Sequence, residues 1–442
     1  MKQLLDYIQL PGWEKALAAK AGSPVAVTGG NIAIAAAAAG LAGAAGRRVL
    51  LVADNDLKAA RMADDLRQFT GAVCACLPGG EVDLTRAAGS LESSWRRLEA
   101  LTEATDGNAG FLCAGAEALM QRMGRPDPFR RLMITLRPGD RASLSALTNR
   151  LTRMGYERVG MVEGKGQFAQ RGSILDVYPP AGREGIRIEF FDDEVDSLRS
   201  FDCISQRSME RLDSVRITPA CEALLDEEEY APAAERMRVA IRASGEGKKE
   251  EALFADLPPL PEDEEDDEEY YDGEIAPRVE EKQKEETAAT ELERRRERLE
   301  GEAETLASGL PFRRIRSWIS VLTDNTAGVT DWFKPDLIIF WEPDKIRTRV
   351  KERFQGFQED LNNAVSRGEA VRNQENLMRS WDDIMEEMNQ FPLVVMSEML
   401  LSLGGIRPTE TVNLGGSGLQ GYRGQIRLLK NDLASWREKG WR

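Results

Sequence analysis

Apolar positions in the first 135 residues follow two alternating rhythms. Val25-Ala-Val-Thr28, Arg48-Val-Leu-Leu-Val-Ala53, Ala72-Val-Cys-Ala-Cys-Leu77 and Gly110-Phe-Leu-Cys-Ala114 are short, continuous apolar runs. Runs of this length without polar alternation predict strands covered on both faces. Between them lie helical patterns. Asn31 to Ala45 is rich in alanine, the strongest helix former. Leu57 to Phe69 places Ala60, Met62, Leu66 and Phe69 at helical spacing, and Leu91 to Leu101 continues the pattern. Strand and helix in alternation with short connections predict an α/β fold, a parallel sheet with helices on both faces.

The rhythm changes three times further on. Over 136–218 a helix from Leu144 to Met154, with Ser143 as N-cap, leads into closely spaced strands, the pattern of a small α+β domain. Ile186, Ile188 and Phe190 alternate with Arg187, Glu189 and Phe191, so one strand carries an apolar and a polar face; Asp192-Asp193 then marks a turn. Over 219–308 the periodicity fails, and Glu262-Asp-Glu-Glu-Asp-Asp-Glu-Glu269 follows Pro258, Pro259 and Pro261. That composition predicts a disordered or loosely helical acidic insert. Residues 309–410 return to globular patterning, with a strand at Leu337-Ile-Ile-Phe-Trp341, helices from Lys345 to Ala364 and from Gln374 to Met388, and a strand at Leu393-Val-Val-Met396. An amphipathic helix, Gly424 to Glu438, then follows without a further strand, so 411–442 reads as the start of a following domain.

Charge sharpens this division. Residues 226–286 hold 23 Asp and Glu against 8 Lys and Arg, a local net of −15 that leaves −1 for the rest of a chain whose total is −16. The globular parts are therefore nearly neutral, without the basic excess of a dedicated DNA clamp. The sequence contains no histidine, which removes histidine bases and His-containing zinc sites. Five cysteines with no CxxC pair predict free thiols in a reducing compartment. No membrane span or secretory signal is apparent, so a soluble, cytoplasmic protein is expected.

Two stretches carry a family likeness. Gly166-Gln-Phe-Ala-Gln-Arg-Gly-Ser-Ile-Leu-Asp-Val-Tyr-Pro-Pro180 and Ile186-Arg-Ile-Glu-Phe-Phe-Asp-Asp-Glu-Val-Asp-Ser-Leu-Arg199 resemble the small interaction domain shared by UvrB and the transcription-repair coupling factors, the Mfd family. Ala88 to Leu101, Gly115 to Arg122, Phe340-Trp-Glu-Pro-Asp-Lys-Ile346 and Tyr422 to Arg442 resemble further stretches of that family. The resemblance implies a degenerate, helicase-like P-loop body made of 1–135 and 309–410, with 136–218 inserted as a domain that docks UvrA. It implies a parent protein that is an ATP-driven translocase, with ATP and Mg²⁺ in its motor, and that meets RNA polymerase and double-stranded DNA through parts beyond this sequence. By the same likeness, Arg171, Arg187 and Phe191 match the positions that contact UvrA. The residues agree for Arg187 and Phe191, which share the outward face of one strand; an exposed Phe beside an Arg is a plausible anchor.

Thr28-Gly29-Gly30-Asn31 stands where a phosphate loop belongs, after a strand and before a helix. A working loop needs G-x-x-x-x-G-K-[ST], the lysine for the β/γ charge and the hydroxyl for Mg²⁺. Here Asn31, Ile32 and Ala33 follow Gly30, and no lysine falls in register. The acidic pair that would complete such a site reads Trp341-Glu342, with tryptophan where UvrB has its metal-binding aspartate. No ATP hydrolysis, cofactor or metal is therefore expected in this chain, and Glu342 reads as a strand-terminal surface acid. Two rivals remain. One is a UvrB-like excinuclease subunit, whose tyrosine-rich hairpin has no counterpart in Pro78 to Ala87. The other is a DNA-binding structural module.

Overall fold

The computed structural model describes residues 5, 8–80, 82, 84, 91–107, 109–255, 293–399, 402–414 and 426–438. The acidic run 262–269 and its neighbouring prolines lie outside the described residues.

Fifteen strands are described. The body contributes β1 (Val25–Thr28), β2 (Val49–Ala53), β3 (Cys74–Leu77) and β4 (Phe111–Gly115). The small domain contributes β5 (Ile134–Leu136), β6 (Glu157–Arg158), β7 (Gln167–Arg171), β8 (Ile174–Val177), β9 (Gly185–Phe191), β10 (Glu194–Phe201), β11 (Ser208–Arg211) and β12 (Val215–Ile217). The chain then returns to the body for β13 (Leu337–Trp341), β14 (Leu393–Ser397) and β15 (Glu410–Asn413).

The body is one seven-stranded sheet in the order β15-β1-β14-β13-β2-β4-β3, and every pairing in it is parallel. β1, β2, β4, β13 and β14 are buried along their whole length, as their unbroken apolar sequences require. One face packs on the helices Ile32–Ala44 and Asp56–Thr70, and the other on Leu91–Thr105, Ile315–Leu322 and Pro343–Ser366. Asn31 and Asn55 cap the first two of these helices by accepting from the Ile34 and Lys58 amides, each at 3.0 Å. Glu410–Asn413 pairs with β1, so the body sheet runs past the boundary expected at 410. The helix Ile426–Glu438 follows and exposes Ile426, Leu428 and Leu433.

The segment 219–308 also departs from its sequence reading. A helix from Tyr230 to Ala255 buries Tyr230, Ala233, Ala234, Met237 and Ile241 in the same core as Trp318, and a helix over 293–307 buries Leu299, Ala303 and Leu306 there. Charge dominates the second helix, with nine charged residues in fifteen, and the first carries nine in 26. A narrow apolar stripe is nonetheless enough to dock each of them, because burial depends on which face carries the apolar residues.

The small domain is a six-stranded sheet, β11-β10-β9-β8-β7-β6, antiparallel except for the β6–β7 pair. The helix Leu144–Arg153 covers one face, capped by Ser143 accepting from the Ala146 amide. β5 and β12 pair antiparallel and bring the two ends of the domain together. Its core of Leu151, Phe168, Leu175, Val177, Ile188, Val195 and Leu198 is distinct from those of the body.

Candidate docking face

The outer face of the small sheet is built by alternation. On β9 the Ile186, Ile188 and Phe190 side chains point into the core, so Arg187, Glu189 and Phe191 point away from it. Strand register then sets their neighbours. Arg171 lies opposite Ile174, which lies opposite Glu189. One row inward, Asp176, Arg187, Arg199 and Arg211 stand side by side across β8 to β11. Arg171, Arg187 and Phe191 therefore share one face in neighbouring rows.

Phe191 is 79% exposed at the end of β9, next to the Asp192-Asp193 turn. Asp192 adopts a left-handed backbone (φ 57°), which a short polar residue tolerates in a tight hairpin. A ring this exposed loses little on mutation in the free protein and gains most when a partner covers it. Arg171 is exposed at the tip of the β7–β8 hairpin, and its Nε and Nη2 donate to the Gly160 carbonyl at 3.3 and 2.9 Å. That contact holds the guanidinium in place with donors to spare.

Arg187 differs from its expected role as an open contact. Its side chain is 15% exposed and forms a two-pronged pair with the buried Asp176, Nε to Oδ1 at 2.7 Å and Nη2 to Oδ2 at 2.9 Å. Nη1 donates to the Gln206 carbonyl and to Ser208 Oγ, and the guanidinium lies 5.0 Å from the Phe201 ring centroid. The hydrogen bond with Asp176 holds its pKa above the ordinary arginine value. Arg187 thus ties β8, β9 and the 206–208 turn together within this face. The acidic position in the centre of β8 was the available signal, since a carboxylate inside a strand requires a partner. The neighbouring Arg199 and Arg211 are not apparent from sequence, because cross-strand register is set by folding.

The Thr28–Asn31 segment, read from sequence as a degenerate nucleotide loop, lies at the C-terminal edge of the body sheet, where ligands of open α/β folds bind. Thr28 is buried, and its carbonyl accepts from the Leu414 amide at 2.9 Å. Gly29 has φ 82°, and its amide donates to the Glu398 carbonyl at 3.3 Å. A Cβ on Gly30 would lie 3.1 Å from Ile34 and 3.7 Å from Leu414, so side chains already fill the space above the loop. Asn31 engages the Ile34 amide, one of the helix N-terminal donors that would otherwise face an anion. Trp341 is buried in the core. Glu342, read from sequence as a surface acid, is half-buried instead: one oxygen accepts from the Glu398 amide at 2.9 Å and the other pairs with Lys345 at 3.3 Å. No group of three or more Cys, Asp or Glu suited to a metal is found among the described residues.

The model of the UvrB interaction domain matches residues 134–222, the stretch from β5 through β12. The transcription-repair-coupling factor of Bacillus subtilis (strain 168) is 26% identical over 405 residues, 91% of this chain and 31% of that protein. The factor of Escherichia coli (strain K12) is 33% identical over 177 residues, 39% of this chain and 15% of its own length, and that of Staphylococcus aureus (strain USA300) is 31% identical over 196 residues, 44% and 17%. The chain spans about a third of the length of the Bacillus relative. No helix among the described residues is long and apolar enough to cross a membrane. Residues 134–222 therefore match the UvrB interaction domain, in a chain that is similar along 91% of its length to the transcription-repair-coupling factor of Bacillus subtilis.

Proposed function

We propose that this chain is the N-terminal adaptor of a transcription-repair coupling factor and recruits UvrA in nucleotide excision repair. The observation that carries the reading is the exposed Phe191 ring, on the same sheet face as Arg171 in the stretch that matches a UvrB interaction domain. Arg171 offers a guanidinium to a partner carboxylate, Phe191 offers apolar area at the centre of a contact, and Arg187 with Asp176 keeps the strands beneath them in register. The parent protein is then an ATP-dependent DNA translocase that meets RNA polymerase and double-stranded DNA through regions outside this sequence. The chain itself acts without hydrolysing ATP, because its loop lacks the lysine and Trp341 replaces a metal-binding acid.

The test is titration calorimetry of UvrA with the chain and with Phe191→Ala. The expected outcome is at least about a tenfold loss of affinity, about 1.4 kcal/mol, with no change in circular dichroism. Equal affinity in the folded variant overturns the reading. A phosphate-release assay at saturating ATP should show no turnover by the chain.

A further inference from the structure

A cleft of about 470 Å³ opens where the small domain meets the body, within the size range of small-ligand sites. It lies on neither the docking face nor the degenerate loop. Two half-buried aromatic residues, Trp95 and Phe312, line it together with Arg122, Lys165, Arg313 and Arg316. Glu157 and Glu222 are the carboxylates in its lining, and Glu222 is already shared between Arg316 at 2.6 Å and Arg97 at 2.7 Å. Lys165 and Arg313 have no ion-pair partner among the described residues. The Arg122 Nε is buried and makes no hydrogen bond, although its Nη1 reaches Thr326 Oγ1 at 3.3 Å. Positive charge in excess, held between low-dielectric walls, attracts an anion. The aromatic surface beside it suits a flat ring.

We infer that this cleft binds a nucleoside phosphate, its phosphate held by Arg313 and Lys165 and its base set against Trp95 and Phe312. The site needs no metal and is independent of the loop at Thr28–Asn31. The ligand spans both units, because Lys165 belongs to the small domain whereas Trp95 and Arg313 belong to the body.

The experiment is calorimetric titration of the whole chain with AMP, ADP, adenosine and inorganic phosphate in magnesium-free buffer. AMP or ADP should bind at least about tenfold more tightly than either adenosine or phosphate alone. Lys165→Ala with Arg313→Ala should weaken AMP by at least about tenfold, and Trp95→Leu should remove the preference for AMP over phosphate. Three results overturn the inference: no binding of AMP or ADP at millimolar concentration, phosphate bound as tightly as AMP, or affinity unchanged in the double variant but lost in Asn31→Ala. Capture of UvrA is not read in this assay, so its outcome leaves the docking proposal to its own test.

Discussion

Three side chains show how burial separates residues that look alike in sequence. Arg171 and Phe191 are available to a partner, whereas Arg187 is committed within the domain by Asp176, Gln206 and Ser208. Phe191→Ala should leave the urea midpoint within the range of ordinary surface changes, about 0.5 kcal/mol. Arg187→Ala should lower stability by about 3 kcal/mol or more, since it strands the buried Asp176 carboxylate. Any affinity that Arg187→Ala loses should then be accompanied by altered backbone amide shifts across β8 and β9. Glu222 gives a pH signature. Burial pushes its carboxyl up, but Arg316 and Arg97 outweigh burial and hold it below the usual 4.5. With the folded value depressed, its contribution is fully present above the unfolded value and is lost as pH falls through the folded one. Glu222→Gln should be less stable at neutral pH, and the gap from the parent protein should narrow in urea titrations as pH is lowered into the carboxylate range.

Element by element, the chain separates patterns that dictate a helix from patterns that merely allow one. Ser143 was readable as a cap, because the residue type and the start of apolar spacing coincide, whereas Asn31, read as the first helical residue, turns out to cap its helix. The helices Tyr230–Ala255 and 293–307 were not readable as core elements, because composition averages over a stripe that only packing selects. Leu299 and Leu306 lie at that stripe, and Glu302 on the same helix makes a two-pronged pair with Arg314, each contact at 2.8 Å, and accepts from the Trp318 indole at 3.2 Å. Leu299→Ala and Leu306→Ala should each cost about 2–5 kcal/mol in denaturant titration, the scale for a buried leucine. Costs below about 0.5 kcal/mol would return these helices to the surface.

Across the whole molecule, two units with their own cores are joined at both ends of the small domain. β5 pairs with β12 at its base, and the Tyr156 hydroxyl donates to the Thr218 carbonyl at 2.6 Å, so its two chain ends are secured within it. A fragment spanning 134–222 is therefore expected to fold alone and to bind UvrA within about tenfold of the whole chain's affinity. An unfolded fragment in circular dichroism would show that the body supplies part of the small domain's stability. The body depends on distant segments in turn: β13 and β14 sit between β1 and β2, so neither N-terminal strand has the other as its neighbour.

Local sequence alone determined the strands and most helices of the body, the small domain and its turns, the helix start capped by Ser143 and the candidate face with Phe191 pointing outward. Each follows from periodicity, turn chemistry or residue type over a few positions. Tertiary structure alone decided the order of the parallel strands, the pairing of Arg187 with Asp176, the docking of the two charged helices and the half-buried place of Glu342. These depend on residues far apart in the chain or on which of several faces finds a partner. Periodicity carries no record of that choice; it is made when apolar area and buried charges are satisfied together.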